Sequence, residues 1–95
     1  MTKHDILNYL NEHYEEFETQ YNVEKIGLFG SYARDEATDD SDIDIYVKMK
    51  PNMFNMIAIK DNIEKSLHKK VDIIREHKNM KPFFLEMINK DLIYA

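Results

Sequence analysis

The chain has no cysteine. Disulfides and thiolate metal sites are therefore excluded, which is compatible with a reducing compartment. Glycine and proline are scarce, two of each in 95 residues, so each is read as the mark of a specific turn. No apolar run approaches the roughly 20 residues that a bilayer-spanning helix requires. The first residues carry Asp5 and no continuous apolar segment, unlike a signal peptide. These absences lead us to expect a cytoplasmic protein without membrane contact. None of the four histidines has the spacing of a metal-ligating pair. There is no internal repeat, linker or low-complexity segment.

What is present is enough apolar material, 43% of residues, for a folded globule. The length fits a single domain over residues 1–95, with little surface to spare for a deep pocket of its own. The net charge is −5, which removes the diffuse attraction for phosphate backbones on which polynucleotide binders rely. DNA is accordingly not expected as a partner. Part of that charge is concentrated in Asp39, Asp40, Asp42 and Asp44, where metal ions can neutralise it. A metal-bound nucleotide suits this balance better than a polynucleotide.

Ile6, Leu7, Leu10, Tyr14, Phe17 and Tyr21 recur at helical spacing. Thr2 with Asp5 has the form of a capping pair at the start of that helix. Val23 to Phe29 reads as a strand ending at Gly30, and a short helix is expected within Ser31–Ala37. Residues 38–41 are turn formers. From Asp42 to Met49 the pattern alternates: Ile43, Ile45 and Val47 on one side, Asp42, Asp44 and Tyr46 on the other. Phe54, Ile57, Ala58, Ile63 and Leu67 predict a second amphipathic helix. Val71–Arg75 predicts a short strand with Asp72 and Ile74 on one face. Pro82 suits a first helical position, and Phe84, Leu85, Ile88 and Leu92 carry a last helix. The final four residues are compatible with fraying or with an edge strand. The order is α/β, in one pair of layers.

Three features carry chemistry. Asp42 and Asp44, two apart on a strand, project to one side. Magnesium takes oxygen ligands and is commonly held by one or two carboxylates with substrate phosphates. Asp72 is the one acidic residue in an apolar strand and can join the pair if the strands are neighbours. The ordinary reading of these carboxylates is a solvated strand edge. Gly30-Ser31, closing the preceding strand, offers backbone N–H groups and a hydroxyl to a phosphate, although an isolated Gly-Ser is as readily a plain turn. Arg34, one helical turn on, has the reach of phosphate oxygens or stands as a solvated charge beside Asp35 and Glu36. Tyr32 and Tyr46 are either core or a base-stacking surface. Lys65, His68, Lys69 and Lys70 read as a solvated helix end.

Taken together, Gly30-Ser31, Asp42, Asp44 and Asp72 match in order and spacing the pattern of the polymerase-beta-like nucleotidyltransferases. Tyr32-Ala33-Arg34, Ala37 and Ser41-Asp42-Ile43-Asp44 resemble the minimal, stand-alone branch of that superfamily in particular, and the resemblance covers most of the chain. The family commonly has glycine after the arginine, where this chain has Asp35. The resemblance implies a palm-like fold, a small mixed sheet of three to four strands packed with helices. It implies ATP as substrate and two Mg2+ ions. Gly30, Ser31 and Arg34 would hold the nucleotide, and Asp42, Asp44 and Asp72 would be the catalytic and metal-binding residues.

The resemblance also implies a role. The minimal branch is typically the antitoxin of a type VII toxin–antitoxin pair whose toxin is an all-helical HEPN ribonuclease. The enzyme moves AMP from ATP to a tyrosine hydroxyl of that toxin, adding bulk and negative charge near its active site. Two other readings are carried with it. One is a small-molecule nucleotidyltransferase whose acceptor site lies on another subunit. The other is a non-catalytic antitoxin that acts by binding alone.

Overall fold

The structure, a computed structural model, describes residues 1–95. Helix α1 (Lys3–Tyr21) opens on a capping box, in which the Thr2 hydroxyl accepts from the Asp5 N–H and the Asp5 carboxylate accepts from the Thr2 N–H. It ends at Asn22 in the left-handed conformation. Strand β1 (Val23–Phe29) leads directly into a single-turn helix, α2 (Gly30–Ala33), and a turn-rich connector follows. Strand β2 (Ile43–Met49), helix α3 (Met53–Leu67) and strand β3 (Val71–Arg75) form a crossover unit, so β2 and β3 run parallel. Asn52 caps α3 by accepting from the Asn55 N–H. Helix α4 (Pro82–Asp91), with proline in its first turn, runs into a two-residue strand, β4 (Ile93–Tyr94).

The mixed sheet has the order β3-β2-β1-β4. One face is fully packed: Ile26, Leu28, Ile43, Ile45, Val47 and Val71 meet Ile6, Leu10 and Phe17 of α1 and Ile59 and Ile63 of α3. The cross-strand pairs Gly27–Tyr46, Phe29–Asp44, Asp44–Asp72 and Tyr46–Ile74 place those side chains on the opposite face. Only α4 covers part of that second face. A Cβ built on Gly27 would lie 2.9 Å from Leu92 Cδ1 and 2.8 Å from the Ile93 carbonyl, so the bare glycine is what lets the end of α4 lie against β1.

The structure settles three points that the sequence left open or read otherwise. The short helix stops at Ala33, well before Ala37, because Asp35 turns into the left-handed region at φ 59° and breaks the helical path. The last residues are a strand: Gly27 and Leu28 pair with Tyr94 and Ile93, and the Ala95 N–H bonds to the Ile26 carbonyl. Lys69 is not part of a free, solvated helix end, since its ammonium bonds the Asp39 carbonyl at 2.7 Å and lies 5.9 Å from the Tyr32 ring centroid. The two tyrosines are resolved in favour of core. Tyr32 is buried, and so is Tyr46, which donates to Glu76 at 3.0 Å and meets Phe29 edge-on. Burial and the Glu76 carboxylate push the Tyr46 hydroxyl well above the ordinary phenol range.

Candidate active site

The carboxylates gather where β1, β2 and β3 present their ends to the partly open face. Asp44 is the second residue of β2 and Asp72 the second of β3, and the parallel register sets them side by side. Asp42 lies two residues before Asp44, just ahead of the strand. The connector that delivers it is fixed by the Thr38–Ser41 turn, by Lys69 on the Asp39 carbonyl, and by the Ile43 N–H on the Lys70 carbonyl at 2.9 Å. Asp42 and Asp44 are half-buried and Asp72 is exposed.

The electrostatics identify Asp44 as the centre of the group. Its pKa is raised, first by partial burial, then by the charges of Asp72 and Asp42, with Arg34 opposing. A partly desolvated carboxylate with two like charges beside it calls for a cation. The donors are all oxygen, the chemistry that suits Mg2+. In this conformation no three carboxylates are close enough to enclose an ion.

Gly30 closes the site from the β1 side. It stands at φ +77°, and a Cβ there would collide with the Asp44 carboxylate, reaching 2.9 Å from its Cγ. The glycine is therefore needed for two reasons at once, its positive φ and the closeness of Asp44. Ser31 is half-buried in the first turn of α2, and its carbonyl accepts from the Glu36 N–H at 2.9 Å.

The family model described as polymerase beta, nucleotidyltransferase matches residues 8–95. The chain belongs to that family. A Methanocaldococcus jannaschii protein provisionally named protein adenylyltransferase MJ1379 is 37% identical, over 99% of this chain and 98% of its own length. Protein adenylyltransferase MntA of Thermococcus cleftensis is 30% identical over all of this chain and 97% of its own. Among solved structures, one provisionally described as a minimal nucleotidyltransferase superposes with a TM-score of 0.77 at 26% identity, covering 98% of this chain and 95% of that one. An MNT antitoxin complex with tri-AMPylated HEPN toxin of Shewanella oneidensis shares the fold, at a TM-score of 0.64 and 15% identity over 98% of this chain and 71% of that one. This chain is a nucleotidyltransferase with the mixed-sheet fold of the minimal branch.

Within this nucleotidyltransferase the six candidate residues fall into two groups. Gly30, Ser31, Asp42, Asp44 and Asp72 lie at one end of the sheet. Arg34 is close enough to lower the Asp44 pKa, but its guanidinium is engaged elsewhere, with Nη1 on Asp91 at 2.6 Å and Nε on Glu36 at 3.2 Å. Asp91 is the last residue of α4, so Arg34 ties that helix to the segment after the Gly30-Ser31 turn. Nothing in sequence spacing indicated Asp91, which lies 57 residues from Arg34. Its one signal was an acidic residue at a helix C-terminus, where the dipole disfavours it unless a cation is near. At the position where many family members carry glycine, Asp35 keeps the left-handed turn and directs its carboxylate to Lys3 at 3.2 Å.

Proposed function

We propose that this nucleotidyltransferase moves AMP from ATP to a tyrosine hydroxyl on a second protein, an all-helical HEPN ribonuclease, and that it acts as that protein's antitoxin. The observation that carries the reading is the parallel pairing of Asp44 with Asp72 beside a glycine turn pressed against Asp44. The relatives named adenylyltransferases and the AMPylated HEPN toxin complex support the nucleotide and the kind of acceptor.

The division of labour follows from position. Backbone N–H groups at Gly30 and Ser31, with the Ser31 hydroxyl, hold the β- and γ-phosphates. Asp42, Asp44 and Asp72 would hold Mg2+, whose charge, when bound, offsets the negative charge on the triphosphate. The acceptor oxygen forms a bond to the α-phosphorus while the bond from that phosphorus to the bridging oxygen of pyrophosphate breaks. Asp72, the most exposed of the three carboxylates, takes the hydroxyl proton. Arg34 exchanges Glu36 or Asp91 for phosphate oxygens as the nucleotide enters. Alignment and charge neutralisation supply most of the acceleration.

The direct test is intact-mass spectrometry of the HEPN protein proposed as acceptor, incubated with this chain, ATP and Mg2+. Added AMP units, absent with Asp44→Asn, are the expected result. A stable complex without any mass change would reject the transfer reading and favour inhibition by contact.

A further inference from the structure

The exposed apolar side chains of this protein are not scattered. Six of the large ones belong to the first two turns of two helices: Met53, Phe54 and Ile57 on α3, and Phe83, Phe84 and Met87 on α4. Phe54 is 86% exposed and Phe83 73%. Helix α3 begins where β2 ends, and α4 follows the end of β3. Because β2 and β3 are parallel, both helices start at the end of the sheet remote from Asp42, Asp44 and Asp72.

Two grooves lie beside these helix starts, and of the six side chains Met53 and Ile57 line them. One, of about 640 Å3, is lined by Met49, Pro51, Arg75, Met80 and Leu85 among others. The second, of about 450 Å3, runs past Pro51, Met53, Met56, Ile57, Ile73 and Arg75. They share Pro51 and Arg75 and so form one trough around the end of β3, the free edge of the sheet. The larger groove of the molecule is therefore at the opposite end from its carboxylates.

The charge at this end is opposite to that of the chain as a whole. Lys50, Lys60, Arg75 and Lys78 line the trough, and none has a carboxylate within 4.0 Å. The two acids that border it are already engaged, Glu24 with Lys48 and Glu76 with the Tyr46 hydroxyl. Apolar side chains rimmed by free cations mark a protein contact rather than a solvated end. A second copy of this chain fits poorly. A symmetric contact would set cations against cations, and elsewhere the chain exposes only Met1 and Tyr94 as large apolar residues.

We infer that the α3/α4 end of the sheet docks a separate protein through an amphipathic helical surface whose apolar stripe is flanked by acidic side chains. This rests on the reading that the acceptor hydroxyl is carried by a second protein. The carboxylate end stays open in such a complex. From Arg75 back to Asp72 along the free edge is about three residue steps, or roughly 10 Å at 3.3 Å per residue. A short extended segment of the docked partner spans that distance to bring its hydroxyl to Asp72.

The test uses the full chain with Met53→Ser/Ile57→Ser, both lining the trough, and, separately, with Lys50→Glu/Lys78→Glu. All four residues are exposed, so both variants should keep the wild-type melting temperature and its rise with ATP and Mg2+. The probe is the purified acceptor protein of the proposed reaction, titrated at low and high salt. The expected result is binding weakened about tenfold or more in each variant, with salt dependence lost only in the charge variant. Wild-type affinity in both variants overturns the inference, as does the absence of any complex with the wild-type chain. A dimer of the wild-type chain alone, lost in the Met53/Ile57 variant, also overturns it and assigns the trough to a second copy. If the wild type binds as expected but transfers no AMP, the docking face stands and the proposed transfer falls.

Discussion

Gly30 and Asp44 are locked to each other: the carboxylate of Asp44 occupies the space that any side chain at residue 30 would fill. The glycine thus sets how closely the turn approaches the carboxylate cluster. Strand pairing of Phe29 with Asp44 makes the contact unavoidable.

Gly30→Ala should displace Asp44 or the turn. A left-handed alanine and the collision together should cost about 1–3 kcal/mol of stability. Nucleotidyl transfer should fall far more than the fold suffers. Circular dichroism with a transfer assay checks this; near-normal transfer would show that the contact relaxes without consequence.

Asp44→Asn should move stability and activity in opposite directions. Burial and two like-charged neighbours penalise the Asp44 carboxylate in the folded chain, so the neutral amide should raise the melting temperature near pH 7. Transfer should be abolished. A variant that is both less stable and inactive would show that Asp44 supports the fold.

Asp35→Gly should be neutral to slightly stabilising, by up to about 1 kcal/mol, because glycine occupies the left-handed region without strain. The lost Lys3 contact is between exposed side chains and should count for little. Denaturant melts and a transfer assay measure both effects. A large loss of activity would instead give the Asp35 carboxylate a role at the phosphates.

Gly27→Ala should loosen α4 and β4 from β1. The new methyl meets the Ile93 carbonyl and Leu92, for a cost of about 1–3 kcal/mol. Hydrogen exchange should quicken at Ile93–Ala95 while Ile43–Met49 stays protected. Unchanged exchange at β4 would refute this account of the glycine.

The cap of α1 gives a pH dependence. Hydrogen bonds from Thr2 hold the Asp5 pKa below the usual carboxylate range. Its contribution is complete above the unfolded pKa and is lost as pH falls through the lower, folded value. Asp5→Ala removes the carboxylate that accepts from the Thr2 N–H; it should destabilise the chain at pH 7 and much less in acid below that window. Urea melts at both pH values test it; an equal loss at each would assign the effect to something other than the cap.

The amino-acid order by itself determined the helices and three of the strands, because their periods of apolar residues are long and undisturbed. It also determined that Asp42 and Asp44 share a face, since residues two apart on a strand have no other choice. The boundary of α2 was not legible. It depends on Asp35 taking a conformation that aspartate only tolerates. An edge strand was one of two readings open to the last four residues, and Gly27 decides for β4 by leaving room for its pairing.

What only the tertiary structure decided is which distant residues meet. The parallel register of β2 and β3 brings Asp72 beside Asp44, and the packing of α4 puts Asp91 on Arg34. The parallel run of β2 and β3 also placed the apolar starts of α3 and α4 at the far end of the sheet, on its two opposite faces. Local pattern fixes the face on which a side chain lies. Strand order and helix packing, set by burial of the whole core at once, fix its neighbours.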